Sequence, residues 1–168
     1  MKLDFPSGAL RPIGLEQMEE VRTLSAKSPR RRAIVRYHDH AEPVQRMMNA
    51  LEPESYVRPH RHIDPDKVEV FVVLAGRALV LQFDEDGQVK DFAVIAAEGP
   101  QRGVEIPPRT WHSVLALAPG TVLYEVIEGA FSPSTHKSYA PWAPAEGSSE
   151  AHAFHDVLLA RVMPLFSR

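Results

Sequence analysis

The sequence contains no cysteine, which excludes disulfides, thiolate metal sites and a cysteine nucleophile together. Any metal must be held by nitrogen and oxygen. No apolar run approaches membrane-spanning length, and the opening "MKLDFPSGAL" lacks the apolar stretch of a signal peptide, so a soluble, cytoplasmic protein with no membrane partner is expected. An excess of positive charge is missing too. Nineteen Lys and Arg stand against 22 Asp and Glu, a formal net charge of −3. That balance argues against a nucleic-acid partner, which normally leaves a basic face. The one basic run, "SPRRRA" at 28–33, is too short to alter this. What the chain does have is 15 prolines and 9 glycines spread along it, the punctuation of many short elements joined by tight turns. Its 168 residues suffice for one domain with a real core.

Residues 14–26, "GLEQMEEVRTLSA", place Leu15, Met18, Val21 and Leu24 at a spacing of three, which predicts a helix with that stripe buried. Ser28-Pro29 should end it, because the residue before proline avoids helical geometry. "RAIVRYH" then reads as a strand, and "VQRMMNALEPESYVRPH" as two strands around the turn Glu52-Pro53-Glu54-Ser55. "VEVFVVLAG" is rich in branched and aromatic residues and ends at Gly76. "ALVLQFDEDGQVKDFAVI" is a hairpin turning at Asp86-Gly87. "VEIPP", "WHSVLAL" and "TVLYEVIEG" complete a series of short strands that predicts a sandwich or small barrel. After Gly129 an irregular arm, "AFSPSTHKSYAPWAPAEGSS", precedes a final helix near 150–162, with Ser149 as N-cap and Phe154, Val157, Leu158 and Arg161 on one side. The expected organisation is one domain: a helical extension at 1–31, a barrel at 32–129, and an arm with a helix at 130–168.

The chemistry gathers in "YVRPHRHIDPDKVEVFVVLAG", residues 56–76. It is either a turn that happens to be rich in histidine or part of a metal site. Strand alternation puts residues i and i+2 on one face, roughly 6–7 Å apart, so His60 and His62 can aim at one point. Glu69 opens the next strand, where an antiparallel neighbour can face it toward them. His112, in "IPPRTWHSV", offers a fourth donor after a proline-fixed turn. Three imidazoles and a carboxylate suit one divalent iron, manganese, nickel, cobalt or zinc ion, rather than magnesium or calcium.

Tyr56 and Arg58 share parity with the two histidines, and with Arg46 they are the expected substrate-binding residues, since arginine's fork fits a carboxylate or phosphate. A rim salt bridge is the competing use for them. Other residues read more plainly. His38 and His40 take surface or supporting positions, and His152 with His155 forms an exposed pair. Arg30 to Arg32 make a solvated edge, and Trp111 packs in the core.

These residues resemble the cupin superfamily, whose first motif runs glycine, His-x-His, glutamate, glycine and whose second runs proline, glycine, histidine. His60, His62, Glu69 and Gly76 match the first, and Pro107 and His112 match the second. There are departures. Glu54 replaces the first glycine, Arg109 stands at the glycine of the second motif, and Ala116 stands where asparagine is frequent. Six residues separate His62 from Glu69 where three or four are usual, so Asp64 and Asp66 stay open as substitutes; only Glu69 has the right distance to Gly76.

More narrowly, "SPRRR", "VQRMMNALEPESYVRPHRH", "EVFVVLAG" and "HKSYAPWAP" resemble the WbuC-type cupin-fold metalloproteins associated with O-antigen gene clusters. The resemblance implies an all-β jelly-roll barrel with helical extensions at both ends. It implies one metal held by His60, His62, Glu69 and His112, and a small anionic or sugar-derived ligand. It also implies a homodimer, since cupins commonly pair through their sheets. Isomerisation or epimerisation of a sugar is the activity that fits the association. A non-catalytic metal-dependent binder and an Fe(II) dioxygenase are the alternatives.

Overall fold

A computed structural model describes residues 1–165 of the chain. Helix α1 (Leu15–Lys27) is followed by ten strands: β1 (Arg32–Arg36), β2 (Val44–Leu51), β3 (His60–Arg61), β4 (Glu69–Ala75), β5 (Arg77–Phe83), β6 (Val89–Ala96), β7 (Gly103–Ile106), β8 (Trp111–Ala116), β9 (Thr121–Glu128) and β10 (Ser138–Tyr139). Helix α2 (Ala151–Val162) closes the series. The strands form two five-stranded sheets ordered β1-β2-β9-β4-β7 and β10-β3-β8-β5-β6, with every named pairing antiparallel. This is the expected all-β fold of antiparallel sheets, with a helix toward each end of the chain.

Strand alternation builds the core between the sheets. Leu51, Phe71, Val73, Val80, Ile95, Val114 and Leu123 point inward and pack together. The opposite parity is not left to solvent. Val35, Met48, Ala50 and Val122 on the first sheet pack with Val21 of α1, and Leu79, Leu81, Phe83 and Leu115 on the second pack with Leu158 and Val162 of α2. Central strands buried on both faces need continuous apolar runs rather than alternation, which accounts for "WHSVLA" being buried throughout.

Both helices turn a different face inward than their spacing predicts. In α1 the buried column is Gln17, Val21 and Ser25, at a spacing of four, while Leu15 is 75% exposed. Polar docking sets that rotation. The Ser25 hydroxyl donates to Glu52 Oε1 at 2.9 Å, and Glu52 Oε2 accepts the Gly120 N–H at 2.9 Å. Helix α2 begins one residue beyond Glu150 and makes no side-chain capping bond, so Ser149 is not its cap. Its buried residues are Ala151, His155, Leu158 and Val162; Val157 is exposed. His155 is therefore a core histidine and only its neighbour His152 is exposed.

Gly76 is the corner at which the chain leaves one sheet for the other. It has φ +77°, and a Cβ there would lie 2.6 Å from Thr121 Oγ1 and 3.0 Å from Thr121 Cα. The residue must be glycine for both backbone and steric reasons. The corner places Glu69 near the start of β4, facing the histidines of the other sheet.

Candidate metal centre

His60, on the two-residue strand β3, stands directly opposite His112 on β8, and their ring centroids are 4.4 Å apart. His62 follows two residues later, with its ring 5.4 Å from that of His60 and 5.7 Å from that of His112. Glu69 comes across from the first sheet. Its Oε2 lies 3.1 Å from His62 Nε2 and 3.0 Å from His112 Nε2. One donor atom from each of the four residues falls within a group no wider than 4.8 Å. All four side chains are buried.

The hydrogen bonds on the far side of each ring fix its chemistry. His60 Nδ1 is 2.9 Å from the Arg58 carbonyl oxygen, His112 Nδ1 is 2.8 Å from that of Thr110, and His62 Nδ1 meets that of His136. A carbonyl only accepts, so each Nδ1 must carry the proton. Each neutral ring then turns an unprotonated Nε2 inward, the arrangement by which outer partners orient metal-bound histidines. His60 Nε2 and His112 Nε2 are buried and have no hydrogen-bond donor. Three lone pairs and a carboxylate thus face one another. Left so, they repel, and a divalent ion accepting from all four removes the conflict.

The electrostatics agree with this reading. Burial alone raises the Glu69 carboxyl; only positive charge set against it, which His112 and His62 would supply if protonated in the absence of an ion, holds it well below the usual range. Burial, with Lys137 and the neighbouring histidines, pushes His60 well below the usual imidazole value, keeping it neutral.

The long gap after His62 is taken up by the loop 63–68, whose Ile63 and Asp66 form an isolated bridge. Asp66 pairs with Arg109 at 2.9 Å on the exposed surface, and Asp64 is exposed, so neither replaces Glu69. Arg109 adopts φ +63°, the left-handed conformation a glycine would supply, and its N–H reaches the His62 carbonyl at 3.3 Å. The departure in sequence therefore preserves the turn.

The cluster opens into a cavity of about 370 Å³. Arg46, Tyr56 and Arg58 do not line it. Arg46 pairs with Glu42, the Tyr56 hydroxyl donates to the Pro144 carbonyl at 2.9 Å, and Arg58 donates to the Ala140 carbonyl at 2.9 Å. Residues 56–59 are not in a strand, so parity with His60 does not govern them. Tyr56 and Arg58 instead hold the arm against the barrel.

Other residues take the cavity wall. Arg32, Arg36, His38, Asn49, Glu125 and Lys137 line it. Arg32 is not on a solvated edge; its side chain is 13% exposed and pairs with Glu146. His38 is buried, with Nδ1 on the backbone of Arg46, and His40 packs at a tilt against Phe131. Glu125 accepts from Asn49 Nδ2, and burial together with the Glu69 carboxylate pushes its carboxyl well above the usual range. A signal for Glu125 was available, since it shares strand parity with the inward Leu123 and Ile127. The arm was expected to be wholly irregular, yet it contributes β10, pairing Tyr139 with His60. Trp111 is buried as expected, and its indole N–H donates to Glu85 at 3.0 Å.

Residues 13–95 match the family described as "Domain of unknown function (DUF6016)". No curated protein matches the chain. Among solved structures the chain is similar to KdgF from Halomonas sp., at 17% identity and a TM-score of 0.46, covering 61% of this chain and 81% of that one. It is also similar to the capsular polysaccharide assembling protein CapF of Staphylococcus aureus, at 14% identity and a TM-score of 0.49, covering 64% of this chain and 31% of that one. Oxalate decarboxylase from Bacillus subtilis is similar at 20% identity and a TM-score of 0.48, covering 72% of this chain and 28% of that one.

Proposed function

We propose that the chain is a cupin metalloprotein that holds one divalent transition metal through His60, His62, Glu69 and His112 and acts on a small anionic or sugar-derived metabolite. The observation that carries this is the set of three inward Nε2 lone pairs, each fixed by a backbone carbonyl on the opposite nitrogen, converging on one buried carboxylate. When bound, such a metal supplies Lewis acidity toward an oxygen of the ligand. The protein's own residues do the rest. The three backbone carbonyls hold the rings in one tautomer and orientation, and the closed β-sheets on either side keep bulk water from the floor of the cavity. The cavity, at about 370 Å³, suits a small molecule.

The narrower WbuC-type likeness, with its link to O-antigen biosynthesis and sugar isomerisation, belongs to the same proposal and is supported by the stretches "SPRRR", "EVFVVLAG" and "HKSYAPWAP". The homodimer and the cytoplasmic setting stand with it. Among the described residues no helix is long and apolar enough to cross a membrane.

Cobalt titration tests the site. Adding Co²⁺ to metal-free protein should give visible absorption bands that saturate at about one equivalent and fail to develop in His60→Ala. Unchanged spectra, or identical spectra in that variant, would refute the ligand set.

A further inference from the structure

Among the described residues, two cations on the cavity wall have no ion-pair partner. Arg36 follows Arg32 and Ile34 on the inward parity of β1, and its Nε is buried without a hydrogen-bond acceptor. Lys137 comes from the arm on the opposite flank and is half-buried. Among the described residues no carboxylate lies within ion-pair distance of either. The acids that line the cavity are engaged elsewhere. Glu69 faces the histidines, Glu125 accepts from Asn49, and Glu146 is shared by Arg30 and Arg32.

A half-buried cation has lost part of its hydration and is normally compensated by an anion. Two such cations in one cavity, beside an ion site, leave a deficit of negative charge that the protein does not fill. Lys137 is close enough to the cluster for its charge to act on His60, Glu125 and His136. Arg36 acts by its charge on His38, another residue of the cavity wall.

We propose that Arg36 and Lys137 are the specificity-determining residues of the cavity and bind the carboxylate or phosphate group of a small anionic ligand whose other oxygen-bearing end faces the histidine cluster. This deepens the function proposed above and rests on it for the orientation of the ligand, though not for the anion site itself. Arginine's planar fork suits a two-oxygen acceptor, and lysine's ammonium adds a point charge without fixed geometry. A neutral sugar satisfies neither.

The test is calorimetric titration of the full chain with malonate, inorganic phosphate and glucose, each on Mn²⁺-loaded and metal-free protein. It is repeated for Arg36→Gln, Lys137→Gln and the charge-preserving Arg36→Lys, with melting temperatures as the control for folding. Malonate or phosphate should bind the parent protein and glucose should not. The preferred anion identifies the group recognised. Each glutamine variant should weaken that anion about tenfold or more, Arg36→Lys should weaken it less, and Mn²⁺ affinity should be unaltered in all three. Anion binding that is equal in the glutamine variants overturns the proposal. So does glucose binding in place of the anions, or absence of binding by all three probes. Loss of Mn²⁺ affinity in the variants also overturns it, since the residues would then serve the ion site. Failure of the parent protein to bind Mn²⁺, with anion binding intact and sensitive to Arg36, instead refutes the metal centre and leaves the anion site standing.

Discussion

Glu146 and Arg32 are 114 positions apart in sequence and joined by a hydrogen-bonded ion pair, Oε2 to Nη2 at 2.5 Å. The pair closes the arm onto the barrel. Arg32 also donates to the Tyr56 carbonyl at 2.7 Å, and Glu146 Oε1 accepts from the Arg58 N–H at 3.3 Å.

Loss of that pair should loosen the arm. Glu146→Gln is expected to destabilise the fold by about 1–3 kcal/mol, the range for hydrogen bonds to partly buried charged groups. Chemical denaturation measures it. Burial acts to raise the Glu146 carboxyl, but Arg32's charge and hydrogen bond, with Arg58 and Arg30, lower it below its ordinary 4.5. A carboxylate depressed on folding contributes stability that is present above the unfolded value and lost as pH falls through the folded one. The difference between parent and Glu146→Gln should therefore be full at pH 7 and shrink below about pH 4.5. A difference that does not change with pH would remove the ion pair as its cause.

Gly76→Ala should be among the most damaging single-methyl additions in the chain. The new Cβ meets backbone as well as side-chain atoms of Thr121, at 3.0 and 2.6 Å, and φ is +77°. The left-handed penalty of roughly 1–2 kcal/mol and overpacking of about 1–3 kcal/mol act together. A melting temperature within a degree or two of the parent would show that the corner can relax.

Arg109 offers the converse case. At φ +63° it holds a conformation costly to residues with a Cβ, and its side chain gives only an exposed pair with Asp66. Arg109→Gly should be neutral or stabilising, whereas Arg109→Val should cost about 1–2 kcal/mol more than the glycine variant, because branching worsens left-handed geometry. Equal stability of the two variants would contradict the backbone explanation.

The order of strands, the hairpin at Asp86-Gly87 and the four clustered side chains were legible because each depends on short-range grammar. Branched runs bounded by turns specify the strands, and the His-x-His spacing specifies a shared face. Glu69 was legible through its distance to Gly76, although the six-residue gap before it left two aspartates open. What could not be read is how separate segments meet. The rotation of α1 is set by Ser25 meeting Glu52, a contact that spacing alone does not encode. His155 was read with His152, one turn away, as an exposed pair, yet it packs into the core. Tyr56 and Arg58 were assigned by strand parity, yet β3 is only two residues long and parity stops at Pro59; Arg46 was assigned by its charge, which Glu42 takes up. Arg36 and Lys137 became visible only when β1 and the arm were seen to flank one cavity.

The central claim is that His60, His62, Glu69 and His112 hold one metal ion. Elemental analysis of the purified chain, beside a His60→Ala, His112→Ala double variant, tests it most directly. The expected result is about one transition-metal ion per chain in the parent and close to none in the variant. Absence of metal from both proteins, even after reloading with manganese, iron, cobalt, nickel and zinc, would contradict the account and reduce the cluster to a histidine-rich turn.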